Sequence, residues 1–159
     1  MEWALIALTI VLVVVAIIRF VNSESKPVYR RRPMLTKHEM VMLDRLEQAL
    51  EKVGQPLAIC PQVAMSAIID VESDLKNGDR MSARNRIDRK VCDFVIIDRG
   101  SNPLIVIELD DWSHDNKQDN DRQRDQWLRD AGIHTLRYRK AHRVKVEQIT
   151  QDIMECLQS

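Results

Sequence analysis

Three acidic residues stand at the ends of two apolar runs, and their spacing is what could do chemistry in this chain. Residues 92–97 contain Asp93 followed by Phe94, Val95, Ile96 and Ile97; residues 98–103 are polar and hold Gly100 and Pro103; residues 104–109 return to aliphatic character around Glu108 and close on Asp110. This is the pattern of two core strands joined by a turn. With residues 98–103 as the turn, Ile97 faces Leu104, and the same register sets Asp93 opposite Glu108 with Cβ atoms about 5 Å apart. Alternation carries Asp110 to the same face. Carboxylates gathered at the end of aliphatic strands repel one another and resist losing water unless a cation neutralises them or the strand ends stay wet. A hard cation such as Mg²⁺ takes oxygen ligands, with water and substrate phosphates completing its shell. Asp93 and Glu108 suit that role, with Asp110 beside them. Such a centre polarises a phosphate and activates water. His114, in the polar loop just after Asp110, is then the candidate base.

These residues need elements to position them. Thr36 and Glu39 have the spacing of a capping box, and Met40, Val41, Leu43, Leu46, Ala49, Leu50 and Val53 follow with helical period before Gly54, so the domain opens with an amphipathic helix. Glu39 is the cap partner, and an acidic residue there can also reach a metal site. Residues 57–63 read as a short strand and 65–75 as a weaker helix, followed by a turn at 76–79. Residues 80–90 fit helix or loop, and they deliver Lys90 to the start of the Asp93 strand. A helix from about 120 to 131, capped by Gly132, carries Arg124 and Asp125 toward the strand ends. A strand over 133–138 and a closing helix over 144–157, apolar at Val146, Ile149, Ile153 and Leu157, complete an α/β (α+β) pattern.

Composition narrows the class. A 159-residue chain that is 45% hydrophobic and 30% charged fits one globular domain and an appendage. Formal net charge is zero, so no global field favours nucleic acid, but the charge is unevenly spread. Residues 76–90 hold six basic and two acidic side chains, 137–145 hold five basic and none acidic, and 108–130 between them hold eight acidic and four basic. A basic rim around an acidic pocket suits a metal-using enzyme acting on a polyphosphate. Solvated surface charge is the plain alternative for any single run. Cys60, Cys92 and Cys156 are three cysteines without C-x-x-C spacing, a pattern that suggests neither a disulfide framework nor a zinc ribbon and favours a reducing compartment.

The appendage is N-terminal. Residues 3–18 are apolar apart from Thr9, and Phe20 and Val21 extend the run to roughly the 20 residues that cross a bilayer core. A transmembrane anchor over 1–21 is expected; a cleaved signal peptide fits less well, because no basic segment precedes the run and no small-x-small site follows it. Arg19, Lys26, Arg30, Arg31 and Arg32 follow the span while Glu2 precedes it, so the positive-inside rule predicts a single pass through the inner (cytoplasmic) membrane with the C-terminal domain cytoplasmic. Residues 22–34 read as a basic juxtamembrane linker drawn to anionic headgroups, and 35–159 as the soluble domain.

Taken together, Val91, Asp93, Phe94 and Val95, then Ile107, Glu108, Leu109 and Asp110, then Ser113 and His114, then Asp121, Arg122, Arg124 and Asp125 with Leu128, Gly132, Leu136 and Arg137, resemble the PD-(D/E)XK phosphodiesterase superfamily. Within it the chain is most similar to bacterial domain of unknown function 2726, near the very-short-patch-repair endonuclease branch. The resemblance covers about residues 35–157. It implies a restriction-endonuclease-like core, a mixed sheet flanked by helices in the order α-β-β-β-α-β, with Mg²⁺ or Mn²⁺ at Asp93 and Glu108 and with DNA or RNA as partner. One departure stands out: Asp110 occupies the position of the superfamily's lysine. The very-short-patch-repair branch also lacks that lysine and uses histidine, which implies His114 in its place, or Lys90 or Arg124 as the source of positive charge. The expected function is a membrane-anchored, divalent-metal-dependent nuclease. Its alternatives are an inactive nuclease fold that binds nucleic acid and a membrane-tethered adaptor.

Overall fold

The computed structural model describes residues 2–21, 28–71, 76–110 and 118–159. They fall into two compact units, Met1–Arg32 and Pro33–Ser159. The first is built on helix α1, Glu2–Val21. Its 20 residues rise about 30 Å at 1.5 Å each, the thickness of a hydrocarbon core, so it is long and apolar enough to cross a membrane.

The second unit is a mixed α/β domain in which helices flank a four-stranded mixed sheet. Helix α2, Lys37–Val53, begins where the sequence pattern places it. Thr36 Oγ1 accepts from Glu39 N at 3.3 Å and Glu39 Oε2 accepts from Thr36 N at 2.6 Å, and Gly54 ends the helix at φ +67°, a left-handed cap that glycine adopts without a Cβ penalty. Its buried stripe is Met42, Leu46 and Ala49, whereas Met40 and Val41, expected on the apolar face, are exposed. Spacings of four and three residues from Met42 keep one face inward, and Met40 lies outside it.

Strands β1 (Ala58–Ala64), β2 (Val91–Ile97), β3 (Pro103–Asp110) and β4 (His134–Arg139) lie in that order across the sheet. The first two junctions are antiparallel and β3 runs parallel to β4. Phe94, Ile96, Ile105 and Ile107 meet α2 and the closing helix α5 (Val146–Gln158) in one buried cluster, while Val95 and Val106 meet Ile87 and Leu128 in another. Ile87 belongs to helix α3, Asn77–Ile87, and Leu128 to helix α4, Gln118–Asp130, so the sheet is covered on both faces. Each such side chain withdrawn from water contributes about 1.5–3 kcal/mol before chain entropy is charged against it.

Three local readings need correction. Residues 65–75 do not form a helix as far as they are described: a single 3₁₀ turn, Met65–Ala67, follows β1, because Met65 N–H donates to Lys90 O at 2.8 Å and prolongs the pairing with β2. Residues 76–79 are not a separate turn but the start of α3, closed by Arg80 N donating to Lys76 O at 3.0 Å; Asp79 in the first turn suits the helix dipole. The β2–β3 turn is one residue shorter than expected. Ile97 pairs with Pro103 rather than Leu104, and a bulge between Ile96 and Ile97 restores Ile96 opposite Ile105. Pro103 can open a strand because no ladder donor is required of it there, and Asp98 locks the loop by accepting Asn102 N–H at 2.8 Å and the Asn102 side-chain amide at 2.9 Å.

Candidate functional site

The bulge absorbs the one-residue difference at the turn, so the far end of the hairpin keeps its expected register. Phe94 pairs with Ile107 and Val95 with Val106; one step further, Asp93 stands opposite Glu108. Backbone pairing between β2 and β3 stops at Phe94, and the Asp93 carboxylate takes over as acceptor, its Oδ2 receiving Leu109 N–H at 2.8 Å. The β2–β3 ladder therefore ends on a carboxylate rather than on another rung, while β2 continues against β1 to Val91 and β3 against β4 to Asp110.

Glu108 is the buried charged residue of the domain's described part, 6% exposed. Its Oε2 meets an Arg124 guanidinium nitrogen at 2.5 Å, with both side chains nearly enclosed. Its Oε1 is buried and, among the described residues, has no hydrogen-bond donor, nor does Arg124 Nε have an acceptor there. Burial pushes the Glu108 carboxyl up to about 7; Arg124 beside it pulls the other way without cancelling the effect, and the Asp93 charge adds to it. Asp93 is also raised, by burial first and then by the charges of Glu39 and Asp110, against the Leu109 N–H and Arg124. Arg137 also lowers Glu108, so burial, with the Asp93 charge behind it, accounts for the upward shift. Cys92, next to Asp93, is pushed up to about 12 by burial and by Glu108, so it is a protonated core thiol and not a nucleophile.

The remaining predicted residues divide. Asp110 turns to Arg137, Oδ1 to Nη1 at 3.2 Å, and Arg137 grips Asp125 with two further nitrogens at 2.6 and 3.2 Å. Burial alone would lower Arg137, but the hydrogen bonds and charges of Asp125, Asp110 and Glu108 outweigh it and hold the guanidinium charged. Lys90 lies at the entry to β2 with its carbonyl bonded to Met65; among the described residues no ion pair joins it to Asp93 or Glu108. His114 lies outside the described residues. Glu39 keeps both roles open to it: Oε2 caps α2, Oε1 accepts Gln62 Nε2 at 2.8 Å, and its charge reaches Asp93.

Two contributors were not assigned a role from the sequence. Gln62 adopts φ +53°, unusual for a residue with a side chain, where β1 skips a rung opposite Asp93, between the pairs Pro61–Phe94 and Val63–Cys92. No local sequence signal marks it. Arg137 follows from parallel pairing of β4 with β3, which places it beside Glu108; in the sequence it is one of several basic residues of that strand and carries no distinguishing signal.

A divalent ion has a partial place here. Among the described residues no group of three or more His, Cys, Asp or Glu side chains stands ready to hold a metal. Two carboxylates are nevertheless within the range that Mg²⁺ uses when water and phosphates supply the rest, and the donorless Glu108 Oε1 is an atom a cation would satisfy. Asp93 and Glu108 fit; Asp110 is engaged by Arg137.

Residues 31–157 match the family described as "Protein of unknown function (DUF2726)". The chain belongs to this family. An uncharacterized protein of Haemophilus influenzae is 33% identical over 103 residues, 65% of this chain and 50% of the relative, so the match spans about half of that relative's length. No solved structure matches the chain. The DUF2726 match includes every element from α2 to α5, and with them the Asp93, Glu108, Arg124 and Arg137 cluster.

Proposed function

We propose that this DUF2726 protein is a metal-dependent nuclease of the PD-(D/E)XK type, tethered by α1 to the inner membrane with residues 35–159 on the cytoplasmic side. The observation that carries the reading is the Asp93–Glu108 pair where β2 and β3 stop pairing, with one buried Glu108 oxygen that no donor among the described residues serves. The order α2-β1-α3-β2-β3-α4-β4, in which α3 is inserted between the first two strands of an α-β-β-β-α-β series, supports a nuclease-like core. The apolar length of α1 supports the tether, and the arginines after it support the orientation.

In this reading Asp93 and Glu108 hold Mg²⁺ or Mn²⁺, with Asp110 supporting from Arg137's side. The ion, when bound, supplies Lewis acidity to the scissile phosphate. Arg124 stabilises charge on the phosphate, and His114 takes the proton from the attacking water as the bond from phosphorus to the leaving oxygen breaks. Lys90 is the next candidate for that proton or charge. The test is cleavage of mixed DNA and RNA by the full chain in neutral detergent with Mg²⁺ or Mn²⁺. His114→Ala should keep metal binding and lose roughly 10²–10⁴ in rate, the usual contribution of a general base. Absence of cleavage on every substrate, with metal bound, rejects the enzyme reading.

A second reading has its own observation. Asp110 replaces the expected lysine and is tied to Arg137, and Arg124 already sits on Glu108, an arrangement that also suits a nuclease fold retained for nucleic-acid binding alone. Salt-dependent binding without metal or turnover would favour it.

A further inference from the structure

The basic segment that follows β4 is not a loose solvated run. Its backbone is held from below by α2. Lys140 takes a left-handed conformation at φ +62°, Arg143 N–H closes a 3₁₀ turn over Ala141–Arg143 on Lys140 O at 2.8 Å, and Ala141 is fully buried. The Arg45 guanidinium donates to two carbonyls of the segment, Val144 O and, at 3.0 Å, His142 O. His38 Nε2 accepts the Ala141 N–H at 3.1 Å. Two α2 side chains thus fix the backbone of Ala141, His142 and Val144.

What this turn presents is positive charge. Arg139, Arg143 and Lys145 are exposed, and among the described residues no salt bridge engages any of them. Lys145 lends part of its field to Glu147, but that carboxylate is bonded to Lys52 at 2.6 Å. Arg45 beneath the turn is occupied by two carbonyls and serves to hold the turn rather than to meet phosphate. The other basic run is less concentrated, since Arg84 faces Asp70 at 3.8 Å and Asp79 and Asp88 lie within it. Arg137, at the head of this run, is consumed by Asp110 and Asp125. The turn also starts in the right place: Arg139 pairs with Asp110 in the parallel ladder, so the segment leaves the sheet at the carboxyl ends of β3 and β4, where α/β sheets bind ligands.

We propose that residues 139–145 form a preorganised clamp for the phosphodiester backbone of the nucleic acid, with Arg139, Arg143 and Lys145 contacting phosphates and Arg45 and His38 as positioning residues. The inference rests on the phosphodiesterase reading for its partner. A rigid turn loses less conformational entropy on binding than a mobile run of lysines and arginines. It supplies affinity without base recognition, because phosphate contacts position a strand but do not read its sequence.

The test is fluorescence anisotropy with the full chain in neutral detergent and chelator, using a short DNA duplex and, separately, a short RNA strand. The slope of log affinity against log salt should fall by about 1 for each cation removed, hence by about 2 in Arg143→Ala/Lys145→Ala, with whichever probe is the partner. Arg45→Met should weaken binding with little change of slope, and Arg45→Lys should restore part of it. An unchanged slope in the double variant, or no binding of either probe by the parent, overturns the clamp. So does reconstitution in anionic lipid bilayers that removes the difference between parent and double variant, which would assign the turn to headgroups. Cleavage is scored apart: binding with the expected slope change but no turnover rejects the nuclease and leaves the clamp, and turnover with an unchanged slope does the reverse.

Discussion

Glu108→Gln should change how stability depends on pH, in a direction set by the geometry around it. The folded-state carboxyl is raised from 4.5 to about 7, by burial before all else. Between those two values the folded chain keeps a proton that the unfolded chain has released, so unfolding free energy falls as pH rises, and above about 7 the loss is complete. At about 1.4 kcal/mol for each pH step, the span amounts to about 3 kcal/mol. Glutamine carries no such proton. Urea unfolding of residues 33–159, wild type and Glu108→Gln, at a series of pH values should therefore show wild type losing about 3 kcal/mol relative to the variant between pH 4.5 and 7.5. Asp93 is raised in the same direction, but it is present in both proteins and largely cancels in the difference. A difference that stays flat, or one that grows in favour of wild type as pH rises, would mean that the Arg124 ion pair overrides burial and holds Glu108 ionised. Glu108 would then be a buried anion held by Arg124 throughout this pH range.

Two further outcomes follow from the scaffold. Leu128→Ala opens a cavity between α4 and the sheet where Val95 and Val106 pack and should cost about 2–5 kcal/mol in urea unfolding. Arg137→Lys keeps the charge but cannot reproduce the fork on Asp125 while also reaching Asp110; a loss of about 1–3 kcal/mol is expected, read as a lower melting temperature.

The hairpin and its acidic end were legible because two signals agreed, aliphatic runs of strand length and carboxylates spaced to meet on one face. The Thr36–Glu39 box was legible for the same kind of reason, a local hydrogen bond with a fixed spacing. What was not legible depended on partners distant in sequence. The Ile97–Pro103 pair and its bulge came from how the Asp98 loop closes, which length alone does not determine. Met42 was passed over among the alternating apolar residues of α2, and only the sheet beneath decided which stripe turned inward. The Arg124–Glu108 pair was approached, since Arg124 was placed near the strand ends, but its closeness and the unserved Glu108 oxygen arise from α4 lying over β3. Gln62 and the Arg45 staple were hidden altogether, one being a backbone conformation and the other a contact across almost a hundred residues.

Calorimetric titration of Mn²⁺ into residues 33–159 decides whether Asp93 and Glu108 hold a divalent ion. Wild type should bind saturably and both Asp93→Asn and Glu108→Gln should not, with a gain in wild-type unfolding free energy of about 2.7 kcal/mol once free ion reaches a hundredfold excess over Kd. No binding by the wild type, or binding that survives unchanged in Asp93→Asn, would contradict the metal assignment.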